Sequence, residues 1–235
     1  MQDVIPEGVF EAIQDHLRER TAHAESGWEA GADEEDTLTG DFCGSLRTRG
    51  WIESTEDRVH WQWRVTYKKF RGRGDDASEK ETGADGIFQV EVRPGDTSIV
   101  VPKGVLFQAK KYRGSSRSDL IDQVDEMERT APGGSAVFEF GPDGYRGDSG
   151  RDILKARELN PTRIPHPQQP LGSYLADRFM PCEEGLRGMY YDAVRGNLIV
   201  PLEQGGVKLV NVSLGHRVAV QVISGRNRHA GHKGF

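Results

Sequence analysis

Two strand-like segments that carry polar side chains on one face constrain the fold of this chain most. Along residues 105–110, Gln108 and Lys110 project from one face of a strand, and their apolar neighbours project from the other. Residues 85–92 alternate in the same way, with Asp85 at the entrance of the strand and on the face opposite its apolar side chains. If the two strands pair, Asp85, Gln108 and Lys110 converge on one point.

These residue types suit a divalent cation beside a phosphodiester. Magnesium prefers carboxylate and other oxygen ligands together with water and substrate phosphate, so Asp85 would be the main ligand and the Gln108 side-chain oxygen a second. The Lys110 ammonium would orient water or stabilise charge on the phosphate. The ordinary alternative is a Gly-rich turn followed by a solvated, lysine-bearing strand end. Each motif alone favours that alternative, whereas the two together favour the site.

The pair of motifs resembles a known signature. Thr82-Gly83-Ala84-Asp85 followed by Gln108-Ala109-Lys110-Lys111 is similar to the PD-(D/E)xK nuclease superfamily, in the subset whose second acid is glutamine. The similarity is greatest to the restriction-endonuclease-like effector domains of bacterial anti-phage systems and covers roughly residues 30–150. It implies an α/β fold with an αβββαβ core, in which helices flank a mixed central sheet.

The resemblance also implies an activity and a set of site residues. It implies a metal-dependent endonuclease that acts on DNA rather than RNA, with Mg²⁺ or Mn²⁺ as cofactor and a protein partner or second copy within a defence system. The catalytic residues would be Asp85, Gln108, Lys110 and Glu35, of which Asp85, Gln108 and Glu35 hold the metal, with support from Glu34, Glu81 and Gln123. The neutral Gln108 removes one negative charge from the usual site. The alternative is therefore an inactive, nuclease-like binding module or a structural subunit of a larger complex.

The charge of the chain argues for local contacts with nucleic acid. Because the net charge is -6, no overall basic field attracts a polyanion. Basic residues do cluster near the motif strands, and these are the candidate contacts to phosphate: Lys68, Lys69, Arg71, Arg73, Lys111, Arg113 and Arg117.

The chain is long enough for one large core with an appendage. We expect residues 1–159 to form a nuclease-like core and residues 160–170 to form a linker or arm, because four prolines in that segment break regular structure. Residues 171–235 are expected to form a β-rich C-terminal extension that packs on the core. Periodicity predicts helices over 7–20, 33–49, 118–130 and 153–159, and strands over 59–70, 85–92, 105–110, 136–140, 198–200, 207–212 and 218–223.

Cysteine content and hydropathy exclude other classes. Cys43 and Cys182 lie far apart with no Cys-x-x-Cys partner, so neither a zinc site nor a disulfide is expected, and each is predicted to be a small buried side chain. No stretch approaches the ~18 apolar residues that span a bilayer. The sequence therefore predicts a cytoplasmic protein without membrane contact.

Overall fold

The structure of the protein is a computed structural model that describes residues 1–70, 82–95, 100–112, 118–212 and 214–225. The helices are α1 (Glu7–Glu25), α2 (Trp28–Gly31), α3 (Glu35–Ser45), α4 (Leu120–Thr130), α5 (Gly150–Leu159) and α6 (Leu171–Ser173), the last continuing as a π-helical segment at Tyr174–Phe179. A helix is present at each of the four predicted positions. The predicted helix at 153–159 begins earlier, because Ser149 Oγ caps it by accepting a hydrogen bond from the Asp152 amide.

The strands form two sheets. They are β1 (Ile52–Glu56), β2 (Val59–Lys69), β3 (Gly86–Arg93), β4 (Val101–Lys111), β5 (Ser135–Gly141), β6 (Gly144–Ser149), β7 (Gln169–Pro170), β8 (Leu186–Arg187), β9 (Tyr190–Asp192), β10 (Asn197–Pro201), β11 (Val207–Asn211) and β12 (His216–Gly225). The central sheet has the order β1-β2-β12-β3-β4-β5-β6-β7, with β8 paired to β4, and a small sheet has the order β11-β10-β9.

Two parallel pairs make the central sheet mixed. Strands β4 and β5 are parallel and are joined through α4, the crossover helix that such a pair requires. Strand β12 lies between β2 and β3, parallel to β3 and antiparallel to β2. The C-terminal part of the chain thus supplies an interior strand of the sheet. The division of the chain into a core, a linker at residues 160–170 and an extension stays a prediction.

Both faces of the central sheet are covered by apolar side chains. On one face, Phe88 and Val90 pack with the buried residues of α1 and α3. On the other face, Ile87 and Leu106 pack with α4, α5 and the small sheet. Because β3 and β4 are buried on both faces, the few polar side chains that they carry need specific partners.

The aromatic row of β2 has the predicted core role. Trp61, Trp63 and Val65 are buried in the first apolar cluster, so they are not free to stack on bases. The predicted α/β class, a mixed sheet flanked by helices with a β-rich C-terminal part, is confirmed. Within the described residues, the helices are all too short or too polar to cross a membrane.

Candidate functional site

Asp85 lies where the alternation predicts it, at the entrance of β3 and opposite Gln108. The register pairs Gly86 with Phe107, and the Asp85 amide donates to the Phe107 carbonyl at 2.9 Å. Strand β4 extends beyond the start of β3, so the Ala109 amide has no backbone partner on β3, and the side chain of Asp85 accepts its hydrogen bond instead. Its Oδ2 accepts the Ala109 amide at 2.7 Å and Gln108 Nε2 at 2.6 Å. Asp85 therefore holds the free edge of β4 as well as facing the site.

The amide of Gln108 has one satisfied end and one unsatisfied end. Gln108 is 2% exposed, and its Nε2 bonds Asp85 and, at 3.2 Å, the Ala109 carbonyl. Its Oε1 is buried and has no hydrogen-bond partner among the described residues. A buried acceptor without a partner is costly. A cation beside Asp85 would remove that cost, because the amide can rotate its oxygen toward the cation.

Glu35, the first residue of α3, meets the same end of β4. Its Oε2 accepts the Lys111 amide at 2.9 Å, and its Oε1 is 3.6 Å from Lys110 Nζ. The amides of Ala109 and Lys111 lie on the same strand edge about 6.6 Å apart, because each strand residue rises about 3.3 Å. One carboxylate bonds each amide, so the structure brings together the predicted set of Asp85, Gln108, Lys110 and Glu35.

The supporting residues have mixed outcomes. Glu34, the residue before α3, is exposed and accepts a hydrogen bond from Thr37 of α3 at 3.2 Å, whereas Glu35 is the acid that contacts β4. Gln123 lies beside the loop that leads to Asp85, since a Cβ added to Gly83 would lie 2.2 Å from the Gln123 carbonyl oxygen. The side-chain Oε1 of Gln123 is buried and has no hydrogen-bond partner in the part of the chain that the structure describes. Glu81 lies outside the described residues.

A network that the sequence did not reveal attaches α3 to the sheet. The backbone amide of His216 donates to the Asp85 carbonyl at 3.0 Å. In the His216 ring, Nδ1 lies 2.9 Å from Tyr67 OH, and Nε2 lies 3.1 Å from Asp36 Oδ1. Lys69 Nζ donates to Asp36 Oδ2 at 2.6 Å. Asp36 follows Glu35 directly, so this network fixes the first turn of α3 where Glu35 meets β4. We call it the α3 clamp: Asp36, Tyr67, Lys69 and His216.

Shifts in pKa reflect the burial around this site. Burial lowers the pKa of His216, although Asp36 acts in the opposite direction. Burial also acts to raise the pKa of Asp36, but hydrogen bonds from Lys69 and His216 outweigh it and lower that pKa. Burial, and secondarily the charge of Asp85, raise the pKa of the Cys43 thiol, so Cys43 stays protonated beneath the site.

A second pair missed from the sequence lies one strand away. Glu139 is opposite Lys110 in the parallel β4–β5 register and is 3% exposed. His166 Nδ1 is 2.8 and 3.1 Å from the two carboxylate oxygens of Glu139. His166 belongs to the proline-rich segment, which therefore lies over the sheet beside Lys110.

The predicted phosphate contacts are described only in part. Lys68 Nζ lies 4.9 Å from the ring centroid of Phe70, and Lys69 belongs to the α3 clamp. Lys111 is half-buried next to Glu35. Four predicted contacts lie outside the described residues: Arg71, Arg73, Arg113 and Arg117.

The donor set fits a hard cation. Within the described ranges, no group of three or more His, Cys, Asp and Glu side chains could hold a metal ion. The site instead offers two carboxylates, Asp85 and Glu35, and the amide oxygen of Gln108. An all-oxygen set of one or two carboxylates suits Mg²⁺ or Mn²⁺, which keep several water ligands, and does not suit a structural zinc site.

No protein-family model, curated protein or solved structure matches this chain. The fold and the geometry of the site are therefore what bears on its function.

Proposed function

We propose that this protein is a metal-dependent endonuclease that hydrolyses phosphodiester bonds, with DNA as its substrate. The observation that carries the proposal is a convergence of four side chains at the place where β3 and α3 begin and β4 ends: Asp85, Gln108, Lys110 and Glu35. This strand end carries carboxylates, an amide oxygen and a buried ammonium, which are the groups expected at a site that hydrolyses phosphodiesters. The motif resemblance to PD-(D/E)xK nucleases supports the same function and a role against foreign genomes.

The cofactor in this proposal is Mg²⁺ or Mn²⁺, held by Asp85, Gln108 and Glu35. Such a cation lowers the pKa of a water molecule that it binds and neutralises charge on the phosphate. The protein contributes orientation: the Ala109 amide holds Asp85, and the Lys111 amide holds Glu35. Neither acid has to be reordered at the moment of reaction, and this preorganisation is what makes electrostatic catalysis effective.

Lys110 supplies the positive charge. It is 2% exposed, and its Nζ is 3.6 Å from Glu35 Oε1. A buried ammonium interacts with charge more strongly than an exposed one, because water screens it less. In this position it orients the attacking water or stabilises the negative charge that develops on the phosphorus oxygens.

The α3 clamp has a positioning role in this proposal. Glu35 comes from a helix rather than from the sheet, so its distance from Asp85 depends on how α3 docks. The bonds of Asp36 to Lys69 and His216 fix that docking, and His216 also bonds the backbone of Asp85. One residue of β12 thus connects the two acids that would share the metal.

The substrate contacts in this proposal are to the phosphate backbone. An acidic chain that binds DNA must do so through local basic groups, whose contacts weaken steeply with salt and carry no base information. We expect cleavage at many sites, with binding that weakens markedly between about 50 and 200 mM salt.

Incubation of the purified protein with supercoiled plasmid tests the proposal. We expect nicking with Mg²⁺ or Mn²⁺, none with a chelator, and none by the Asp85→Asn variant. Single-stranded DNA and RNA substrates run in parallel determine the substrate class. Absence of cleavage under all metal conditions would overturn the proposal.

The second candidate is a nuclease-like binding module, and the neutral Gln108 is the observation that favours it. Its signature is a mobility shift of DNA without metal-dependent cleavage. Size measurement in solution would identify a partner-bound or oligomeric state.

A further inference from the structure

Lys103, near the start of β4, is a buried cation outside the proposed catalytic site. It is 0% exposed, and its Nζ lies 4.1 Å from the ring centroid of Phe179. This ammonium has no hydrogen-bond partner among the described residues. Burial lowers its pKa to about 8, so most of it stays protonated at neutral pH. A buried, unpartnered ammonium requires a counter-charge nearby.

Cys182 is the first group that acts against burial and raises the Lys103 pKa. The prediction that it is a buried small side chain is wrong, because Cys182 is partly exposed while Cys43 is buried. Its backbone φ is +75°, a strained value for a residue with a side chain. Burial acts to raise the pKa of its thiol, but the terminal ammonium, Lys103 and Arg187 together outweigh burial and lower it.

The cations around Cys182 come from three separate parts of the chain. The terminal amino group of Met1 lies 2.9 Å from Cys182 Sγ. Lys103 and Arg187 are directly opposite each other in the β4–β8 pairing, so they project from the same face of the sheet. Because the three groups are fixed by different elements, the thiol meets an assembled positive surface rather than one mobile lysine.

The acids nearby are already paired with cations. Asp3 accepts two hydrogen bonds from Arg187, at 2.7 and 2.8 Å, and its Oδ1 is 3.3 Å from the terminal ammonium. Glu184 is 2.8 Å from Arg178 Nη2, and Glu183 is 2.8 Å from Arg178 Nε. These carboxylates are thus engaged by Arg187, Arg178 and the terminal ammonium, whereas Lys103 Nζ has no hydrogen-bond partner among the described residues.

We propose that Cys182 is a reactive thiolate site that hydrogen peroxide oxidises to a sulfenic acid, with Lys103 as the cation that stabilises the thiolate and the departing hydroxide. The sulfur lone pair forms an S–O bond to one peroxide oxygen, and the O–O bond breaks. Its electron pair leaves with the second oxygen as hydroxide, which solvent protonates. The sulfur is oxidised by two electrons and the peroxide is reduced by two, giving Cys–SOH and water.

The other cysteine is a matched control within the same chain. Cys43 is 0% exposed, and burial raises its pKa. A buried thiol with a raised pKa reacts slowly with both peroxides and alkylating agents. Selective modification of Cys182 over Cys43 in a single sample therefore reports the local environment and not the reagent.

Two labelling experiments followed by mass spectrometry test the proposal. Treatment with hydrogen peroxide and dimedone should label Cys182 and leave Cys43 unlabelled. Alkylation with iodoacetamide between pH 5 and 9 should give Cys182 an apparent pKa below the value of about 8.5 for a free thiol. The urea-unfolded chain provides the reference at each pH, so this comparison does not depend on any variant.

Lys103→Met tests the assigned cation. Met has nearly the same length without the charge, and a circular dichroism spectrum verifies the fold. At pH 6.5 we expect alkylation of Cys182 to slow by about tenfold, as a rise of one in its pKa would produce. A chain with an N-terminal tag measures the share of the terminal ammonium separately. The proposal is overturned if Cys182 in the folded protein reacts no faster than in the unfolded chain, or if Lys103→Met leaves its rate unchanged.

Discussion

Replacing Asp85 by alanine should destabilise the protein as well as inactivate it. Its Oδ2 accepts two hydrogen bonds, from the Ala109 amide and from Gln108 Nε2, and both of those residues are buried. Leaving two buried donors unsatisfied costs about 1–3 kcal/mol each. Water that enters the vacated space recovers part of this cost, so we expect a net loss of about 2–4 kcal/mol. For a chain of this size that is a fall in Tm of roughly 5–15 °C.

A charge effect acts in the opposite direction. Removing Asp85 also relieves its repulsion of Glu35, and from the sequence alone this effect would predict a gain in stability. In the structure, Lys110 Nζ is 3.6 Å from Glu35 Oε1 and offsets that charge. We therefore expect the lost hydrogen bonds to dominate.

Asp85→Asn separates the two effects. Asparagine keeps an oxygen that accepts both donors but removes the charge. Thermal unfolding followed by circular dichroism should place Asp85→Asn within about 1 kcal/mol of the parent and Asp85→Ala well below both. An alanine variant as stable as the parent would refute the assignment of Asp85 as the residue that holds the edge of β4.

Four further predictions follow from the same contacts. Lys110→Met should lower cleavage on the order of 10²-fold with an unchanged circular dichroism spectrum; near-parental cleavage would exclude Lys110 from the site. Glu35→Gln should raise the Mg²⁺ concentration for half-maximal cleavage by about tenfold or more, and an unaltered metal requirement would contradict Glu35 as a ligand. Gln108→Glu should place a second carboxylate against Asp85, so its Tm without metal should be lower than that of the parent. Mg²⁺ should raise the Tm of this variant more than it raises the Tm of the parent, and an equal rise in both proteins would contradict a shared cation. Lys103→Met should stabilise the protein at pH 7 by up to about 3 kcal/mol in urea unfolding, because burial lowers the Lys103 pKa from 10.5 to about 8. This gain should shrink as pH rises from 8 to 10.5, where the unfolded chain still carries the proton that the folded parent has lost. A gain that does not change with pH would contradict this origin.

Local patterns predicted the two strands that carry Asp85, Gln108 and Lys110. Period-two alternation identified β3 and β4, and the chemistry of Asp85 with Gln108 required that these strands pair, as they do. Glu35 was indicated instead by the resemblance to PD-(D/E)xK nucleases, in which an additional glutamate comes from the helix before the core strands. The strand inferences succeed because strand period is a property of a few neighbouring residues.

Long-range pairing could not be predicted in this way. The alternation predicts a strand at residues 218–223, but nothing in that sequence indicates that β2 and β3 are its neighbours. The contact between Asp36 and His216 joins residues 180 positions apart, so neither residue carries a local signal of the α3 clamp. The pairing of Glu139 with His166 was hidden for the same reason, since it depends on the path of the proline-rich segment.

The environment of Cys182 illustrates a related limit. Its spacing in the sequence argues against a zinc motif and a disulfide, and says nothing about which groups surround its thiol. Its reactivity depends on cations supplied by the chain terminus, β4 and β8, which only the fold brings together. Composition and spacing describe what a residue is, whereas the pKa of a thiol depends on what surrounds it.

The rate of supercoiled plasmid nicking as a function of Mg²⁺ concentration, measured side by side for the parent and Asp85→Asn, tests the proposed endonuclease most directly. The two proteins should be equally folded, so they differ in one negative charge at the metal site. We expect the parent rate to rise with Mg²⁺ and then saturate, to vanish with a chelator, and to be reduced on the order of 10²-fold or more by Asp85→Asn. Nicking that is absent from the parent, or that survives unchanged in Asp85→Asn, would contradict a metal-dependent phosphodiesterase site at Asp85.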